Sequence, residues 1–104
     1  MTPDITVRNN TESRTYEAVI DDQVVGLIIY EVEGPRIALT HTIVEPEYRR
    51  QGIATMLVRG ALDDIRASGV LISVFCNFVS HFVSAHPEYA DLIDANHPGV
   101  SRPG

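Results

Sequence analysis

The chain has 104 residues, 44% of them hydrophobic, which suffices for one core and not for two. Fourteen Asp and Glu against eight basic residues, all of them Arg, leave a net charge of −6, so nucleic acid and anionic membrane are repelled at long range. One cysteine excludes an intramolecular disulfide, no Cys/His spacing resembles a metal site, and no apolar run approaches the roughly 18 residues of a membrane span. Met1 is followed by Thr2-Pro3-Asp4 rather than by a basic and then an apolar stretch, so no export signal is read and a reducing, cytoplasmic setting is expected.

The first half reads as strands. Asp4 to Asn9 alternates polar and apolar residues and meets the turn-prone Asn9-Asn10-Thr11. Tyr16, Ala18 and Ile20 form the next alternating set, and Asp21-Asp22 turn the chain into Gln23 to Glu33. There Val24 to Tyr30 is apolar on both faces, as a central strand requires. After Gly34-Pro35, Arg36 to Val44 is a fourth strand, with Ile37, Leu39, His41 and Ile43 expected on one face. These four make an antiparallel meander.

The period changes at Gln51. Ile53, Ala54, Leu57, Val58, Ala61, Leu62 and Ile65 recur at helical spacing up to Ser68, and Gly69 supplies the stop. Val70 to Phe75 reads as a strand reached through a crossover, hence parallel to the fourth. Phe78, Val79, Phe82 and Val83 mark a second helix beginning near Asn77 and stopped by Pro87. The fold class is α+β, an α/β sandwich, in a single domain over 1–96, with 97–104 expected to be a flexible C-terminal tail.

The segment between the fourth strand and the long helix carries the chemistry. Arg49-Arg50-Gln51-Gly52-Ile53-Ala54 leads from a strand into a helix N-terminus, where unpaired N–H groups and the helix dipole favour an anion and glycine lets it come close. On local physics two readings stand side by side, a phosphate site and an ordinary helix start with two solvated arginines.

Arg49-x-x-Gly52-x-Ala54, preceded by Val44-x-Pro46-x-Tyr48, resembles the acetyl-CoA pyrophosphate loop of the GNAT N-acetyltransferase superfamily. The resemblance runs from Tyr16 to Leu92 and extends to the short single-domain members of about a hundred residues (the YjdJ type), through His41-Thr42-x-Val44, Cys76 and His86-Pro87-Glu88-Tyr89-x-x-Leu92. It implies a minimal GNAT fold and an acetyl-CoA-dependent N-acetyltransferase. It also implies that backbone N–H groups of Arg50, Gln51, Gly52, Ile53 and Ala54 hold the pyrophosphate beside Arg49. The pantetheine would run along Thr42 to Val44, with main-chain groups of Ile43 and Val44 serving it. Two departures bear on the acceptor: only Asn10 to Arg14 stands where the family carries two helices, and the last pair of strands is missing. The resemblance therefore leaves two functions, transfer to a protein or peptide amine that brings its own surface, or acyl-CoA binding without efficient turnover.

His41 on an apolar face is either a core residue or a general base, and Cys76, between a strand and a helix, is either a small buried hydrophobe or a reactive thiol. In the short GNAT-like proteins the two are held to face one another near the acetyl group, which implies His41 as base and Cys76 as acid or nucleophile. Transfer is then direct or passes through an acetyl-Cys76. No metal, nucleic acid or membrane partner is expected, and the chain is expected to be a monomer or weak dimer. Asp63-Asp64 is read as pairing with Arg59 and Arg66 on the helix surface, and Arg36 as an exposed edge charge.

Overall fold

The computed structural model describes residues 4–99. Five strands form one sheet in the order β1-β2-β3-β4-β5. They are β1 (Thr6–Asn10), β2 (Thr15–Ile20), β3 (Gln23–Glu33), β4 (Arg36–Val44) and β5 (Leu71–Val74). The first four are consecutive antiparallel neighbours, and β5 lies parallel to β4. Helices α1 (Ile53–Ser68) and α2 (Asn77–Ala85) follow β4 and β5, and a short 3-10 helix covers Pro87–Leu92.

One face of the sheet is packed. Ile53, Leu57, Val58, Ala61, Leu62 and Ile65 make the buried stripe of α1, and it meets Tyr16, Ala18, Ile28 and Leu39 from the strands and Val79, Phe82 and Val83 from α2 in one core. Gly60 brings α1 against β1 so closely that a Cβ there would lie 2.8 Å from Val7 Cβ. The contact is to the root of Val7, not to a flexible tip. Gly60→Ala therefore gains about 1 kcal/mol of helix propensity but forces β1 aside at a cost of about 1–3 kcal/mol. The expected result is a net fall in thermal midpoint of several degrees, read by circular dichroism.

Two tyrosines pin α1 to its surroundings. Tyr16 Oη donates to Asp64 at 2.7 Å, and Tyr89 Oη donates to Asp63 at 2.7 Å. Burial, with the Asp64 carboxylate second, pushes the Tyr16 hydroxyl far above its ordinary range, so it stays a donor. The Asp63-Asp64 pair thus faces phenols from distant elements instead of making only helix-surface ion pairs. Arg66 turns away to Asp91, holding both Asp91 oxygens at 2.9 Å. Arg36 is also half-covered, with Glu33 at 3.7 Å and Asp94 at 3.9 Å, so it is no free edge charge.

Beyond α2 the chain returns along the outer edge of β5. Asp94 N–H donates to Ile72 O, and Val74 N–H donates to Pro98 O, both at 2.9 Å. The Ser73 hydroxyl donates to His97 O. His97 to Gly99, the first residues of the expected tail, are therefore docked on the sheet, because the edge N–H of Val74 needs a partner. Residues 100–104 of that tail lie outside the described residues.

Candidate active site

A bulge in β4 makes the site. Ile29 pairs with His41 but Tyr30 pairs with Leu39, which leaves Thr40 as the extra residue. The Thr40 hydroxyl donates to Ile29 O at 3.0 Å and so satisfies the ladder where it is broken. One inserted residue reverses the alternation beyond it. Leu39 points into the core, whereas His41 and Ile43 point to the opposite, helix-free face and are exposed, Ile43 at 51%. The expected common face for Leu39, His41 and Ile43 is corrected accordingly, since strict alternation holds only along an unbroken strand.

The bulge also ends the pairing between β4 and β5. Their register runs from Arg36↔Leu71 to Leu39↔Val74, with a last bond from Phe75 N–H to Leu39 O at 2.9 Å. Past that point the two strands separate. Glu45 N–H donates to Val25 O of β3 at 2.8 Å. By strand alternation Val44 and Thr42 then turn their main-chain groups toward the gap, and Ile43 turns its own toward β3. Of Ile43 and Val44, whose main-chain groups the resemblance assigned to the pantetheine, Val44 faces the gap by this alternation, its carbonyl also accepting from Arg49 Nε at 3.2 Å. Thr42, which the resemblance placed beside the arm without a main-chain role, faces the gap as well.

Cys76 closes this gap from the β5 side. It is the N-cap of α2 and 9% exposed, and its Sγ lies 3.1 Å from the Thr42 hydroxyl. Thr42 lies on the helix face and His41, its neighbour, on the open face. The structure brings Cys76 together with Thr42 and places His41 across the sheet from it. Any joint action of His41 and Cys76 must therefore come through the gap, from its two sides.

The loop after β4 builds the anion site. A 3-10 helix at Pro46–Tyr48 carries the chain to Arg49, whose Nε donates to Val44 O at 3.2 Å. Arg50 and Gly52 both take left-handed backbone conformations, with φ of 65° and 77°. Gly52 is the N-cap of α1, and no side chain caps this end or places a carboxylate in its first turn. Met56 N–H is the first to find a helical partner, Gly52 O, at 3.1 Å. The N–H groups of Ile53, Ala54 and Thr55 thus lack helical acceptors at the positive end of a 16-residue helix. Val44, Tyr48, Arg49, Arg50, Gly52 and Phe78 help line a cleft of about 230 Å³ in front of them.

Gln51 turns away, donating to Glu47 O at 3.1 Å, and among side chains the cleft relies on the two arginines. Phe78, exposed at 39% on the first turn of α2, carries a wall of the cleft that sequence reasoning assigned only to helix packing. Its spacing with Phe82 fits a buried stripe equally well, so pattern alone could not single it out. Among the other tyrosines, Tyr30 Oη is used up in a 2.7 Å bond to Asn9.

Comparison with known proteins agrees with this architecture. Residues 15–92 match the profile of the GCN5-related N-acetyl-transferase family. The chain is 37% identical over 63 residues to Protein NATD1 of Bos taurus, covering 60% of this chain and 56% of that protein, so it spans little more than half the length of that relative. The solution structure of a GCN5-like protein from Staphylococcus aureus superimposes with a TM-score of 0.65 at 19% identity, covering 93% of this chain and 91% of that one. The ribosomal-protein-S18-alanine N-acetyltransferase of Escherichia coli gives 0.53 at 22% identity over 59% of this chain and 41% of its own. At such identities the two structures speak for the fold alone. With a mixed sheet whose fourth and fifth strands part beside an uncapped helix, and with a profile match over most of its length, this chain belongs to the GCN5-related N-acetyltransferase family.

Proposed function

We propose that the protein transfers an acetyl group from acetyl-CoA to an amine, and that the acceptor is a protein or peptide. The observation that carries this reading is the uncapped α1 N-terminus at Gly52, opening on a cleft that leads to the free edge of β4. A pyrophosphate suits it. Three N–H groups, the helix dipole and two arginines supply positive potential in a chain whose net charge is −6. The Val44 and Thr42 edge offers the main-chain partners that an extended amide arm needs, and a donor there faces the carbonyl oxygen as charge develops on it.

His41 and Cys76 then divide the work across the sheet. His41, on the open face, takes a proton from the arriving ammonium, directly or through water. The amine nitrogen bonds to the thioester carbon, the carbon–sulfur bond breaks as the Cys76 thiol gives its proton to the departing CoA sulfur, and the nitrogen releases its second proton to solvent as the amide forms. Cys76 is afterwards reprotonated from solvent. Direct transfer is favoured by the separation of the two groups, since each can serve its own substrate. Only the turn between Asn10 and Thr15 separates β1 from β2, and no described helix covers the open face around His41 and Ile43. A partner that brings its own surface fits such a face. Among the described residues no helix is long and apolar enough to cross a membrane.

The same open face supports a second reading, an acyl-CoA-binding module without turnover. Isothermal calorimetry with acetyl-CoA tests what both share, and a dissociation constant at or below the micromolar range is expected. Absence of binding at that concentration would remove the cofactor cleft and both readings with it. Where binding is seen, sustained CoA release with lysine-containing peptides marks the enzyme, and none with any amine marks the module.

A further inference from the structure

We infer that Thr42 is a positioning residue of the transfer site, holding Cys76 by a hydrogen bond and stabilising the thiolate that remains after Cys76 has given up its proton. The inference rests on the acetyltransferase reading for its purpose, but not for its chemistry. Three observations meet at this residue. Its hydroxyl lies 3.1 Å from Cys76 Sγ. Its main-chain groups face the gap, because β4 has lost β5 as a partner after Leu39. It occupies the helix face only because the bulge at Thr40 reversed the alternation of β4. Without that extra residue, position 42 would point to the open face and the sulfur would have no hydroxyl beside it.

The hydroxyl suits both states of the sulfur, since it can accept from S–H and, after rotation, donate to S⁻. In the transfer the thiol proton passes to the CoA sulfur and the electron pair stays on Cys76 Sγ. The Thr42 O–H then turns to face the new charge, together with the N–H groups at the start of α2, where no side chain caps the helix. A valine has the same shape and cannot do this. It would also leave Cys76 free to rotate away from the gap.

The test reads the sulfur without any acyl transfer. Alkylation of Cys76 by iodoacetamide in the free protein, followed by mass spectrometry at fixed pH near 8, is expected to slow by about 5- to 10-fold in Thr42→Val, because the sulfur loses the hydroxyl that orients it and donates to its reacting form. Thr42→Ser, which keeps the hydroxyl, is expected to restore the rate to within about twofold. Circular dichroism of each variant reports the fold, and Thr42→Ala serves in place of valine if the latter unfolds. Equal alkylation rates for Thr42→Val or Thr42→Ala and the wild-type protein would overturn the inference, as would a serine variant no better than valine. A wild-type Cys76 that does not react at all would also overturn it. Acetyl-CoA binding and CoA release with a peptide amine, measured separately on the wild-type protein, decide the acetyltransferase reading, so the two can fail independently.

Discussion

Cys76→Ala is expected to lower kcat on the order of 100-fold while leaving the dissociation constant of acetyl-CoA within about twofold. General acid catalysis contributes roughly 10²- to 10⁴-fold, and in the proposed route the buried sulfur at the start of α2 supplies the proton. The cleft proposed for the cofactor is lined by residues at the N-terminus of α1 and in the loop before it, and Cys76 is not among them, so binding has no reason to change. His41→Ala, by contrast, removes a group that is exposed to solvent, and water can replace part of its role. A smaller loss, about 10-fold in kcat/KM and largest at lower pH where free amine is scarce, is expected there. Stopped-flow CoA release with a peptide acceptor measures both. Unchanged turnover in Cys76→Ala would leave the acid to some other group. Mass spectrometry after incubation with acetyl-CoA distinguishes the routes, because direct transfer leaves Cys76 unmodified and an acetyl-Cys76 that decays on adding amine would establish the two-step route.

Much of this arrangement could be read from the residues. The meander, the crossover helix and the parallel fifth strand follow from period-2 patterning before Val44 and helical spacing after Gln51, since burial on one face imposes those periods. The loop from Arg49 to Ala54 was legible as a glycine-led helix start, but local physics left a phosphate site and two solvated arginines side by side, and the family resemblance alone favoured the first. The placement of His41 and Cys76 on opposite sides of β4 was not. Whether His41 lies beside Cys76 or across the sheet from it depends on one extra residue, Thr40, and a bulge of that kind leaves no mark on composition or period. For the same reason Thr42 was invisible as a partner of Cys76, 34 positions away. Asp63 and Asp64 were likewise matched with arginines one helical turn away, because local spacing cannot report Tyr16 and Tyr89 arriving from β2 and the C-terminal segment.

Gly52→Ala is expected to weaken binding of CoA by at least tenfold with only a modest loss of stability. At φ 77° and ψ 9° any L-residue is strained, which costs about 1–2 kcal/mol and a thermal midpoint several degrees lower. Among the described residues, its own chain neighbours aside, no atom lies within 4 Å of the added Cβ, so the fold itself has room for it. The binding loss has a different origin. Either the chain at residue 52 relaxes out of the left-handed region and re-aims the N–H groups of Ile53, Ala54 and Thr55, or the methyl group keeps the phosphate from them. Each route lengthens charge-assisted hydrogen bonds that are worth most at short range. Pantetheine has no pyrophosphate, so it is expected to bind the variant and the wild-type protein alike in a competition experiment. A variant that loses both ligands equally would point to general damage of the cleft. One that loses neither would leave the α1 N-terminus as an ordinary solvated helix start, and the acyl donor would have to be held by the β4 edge alone.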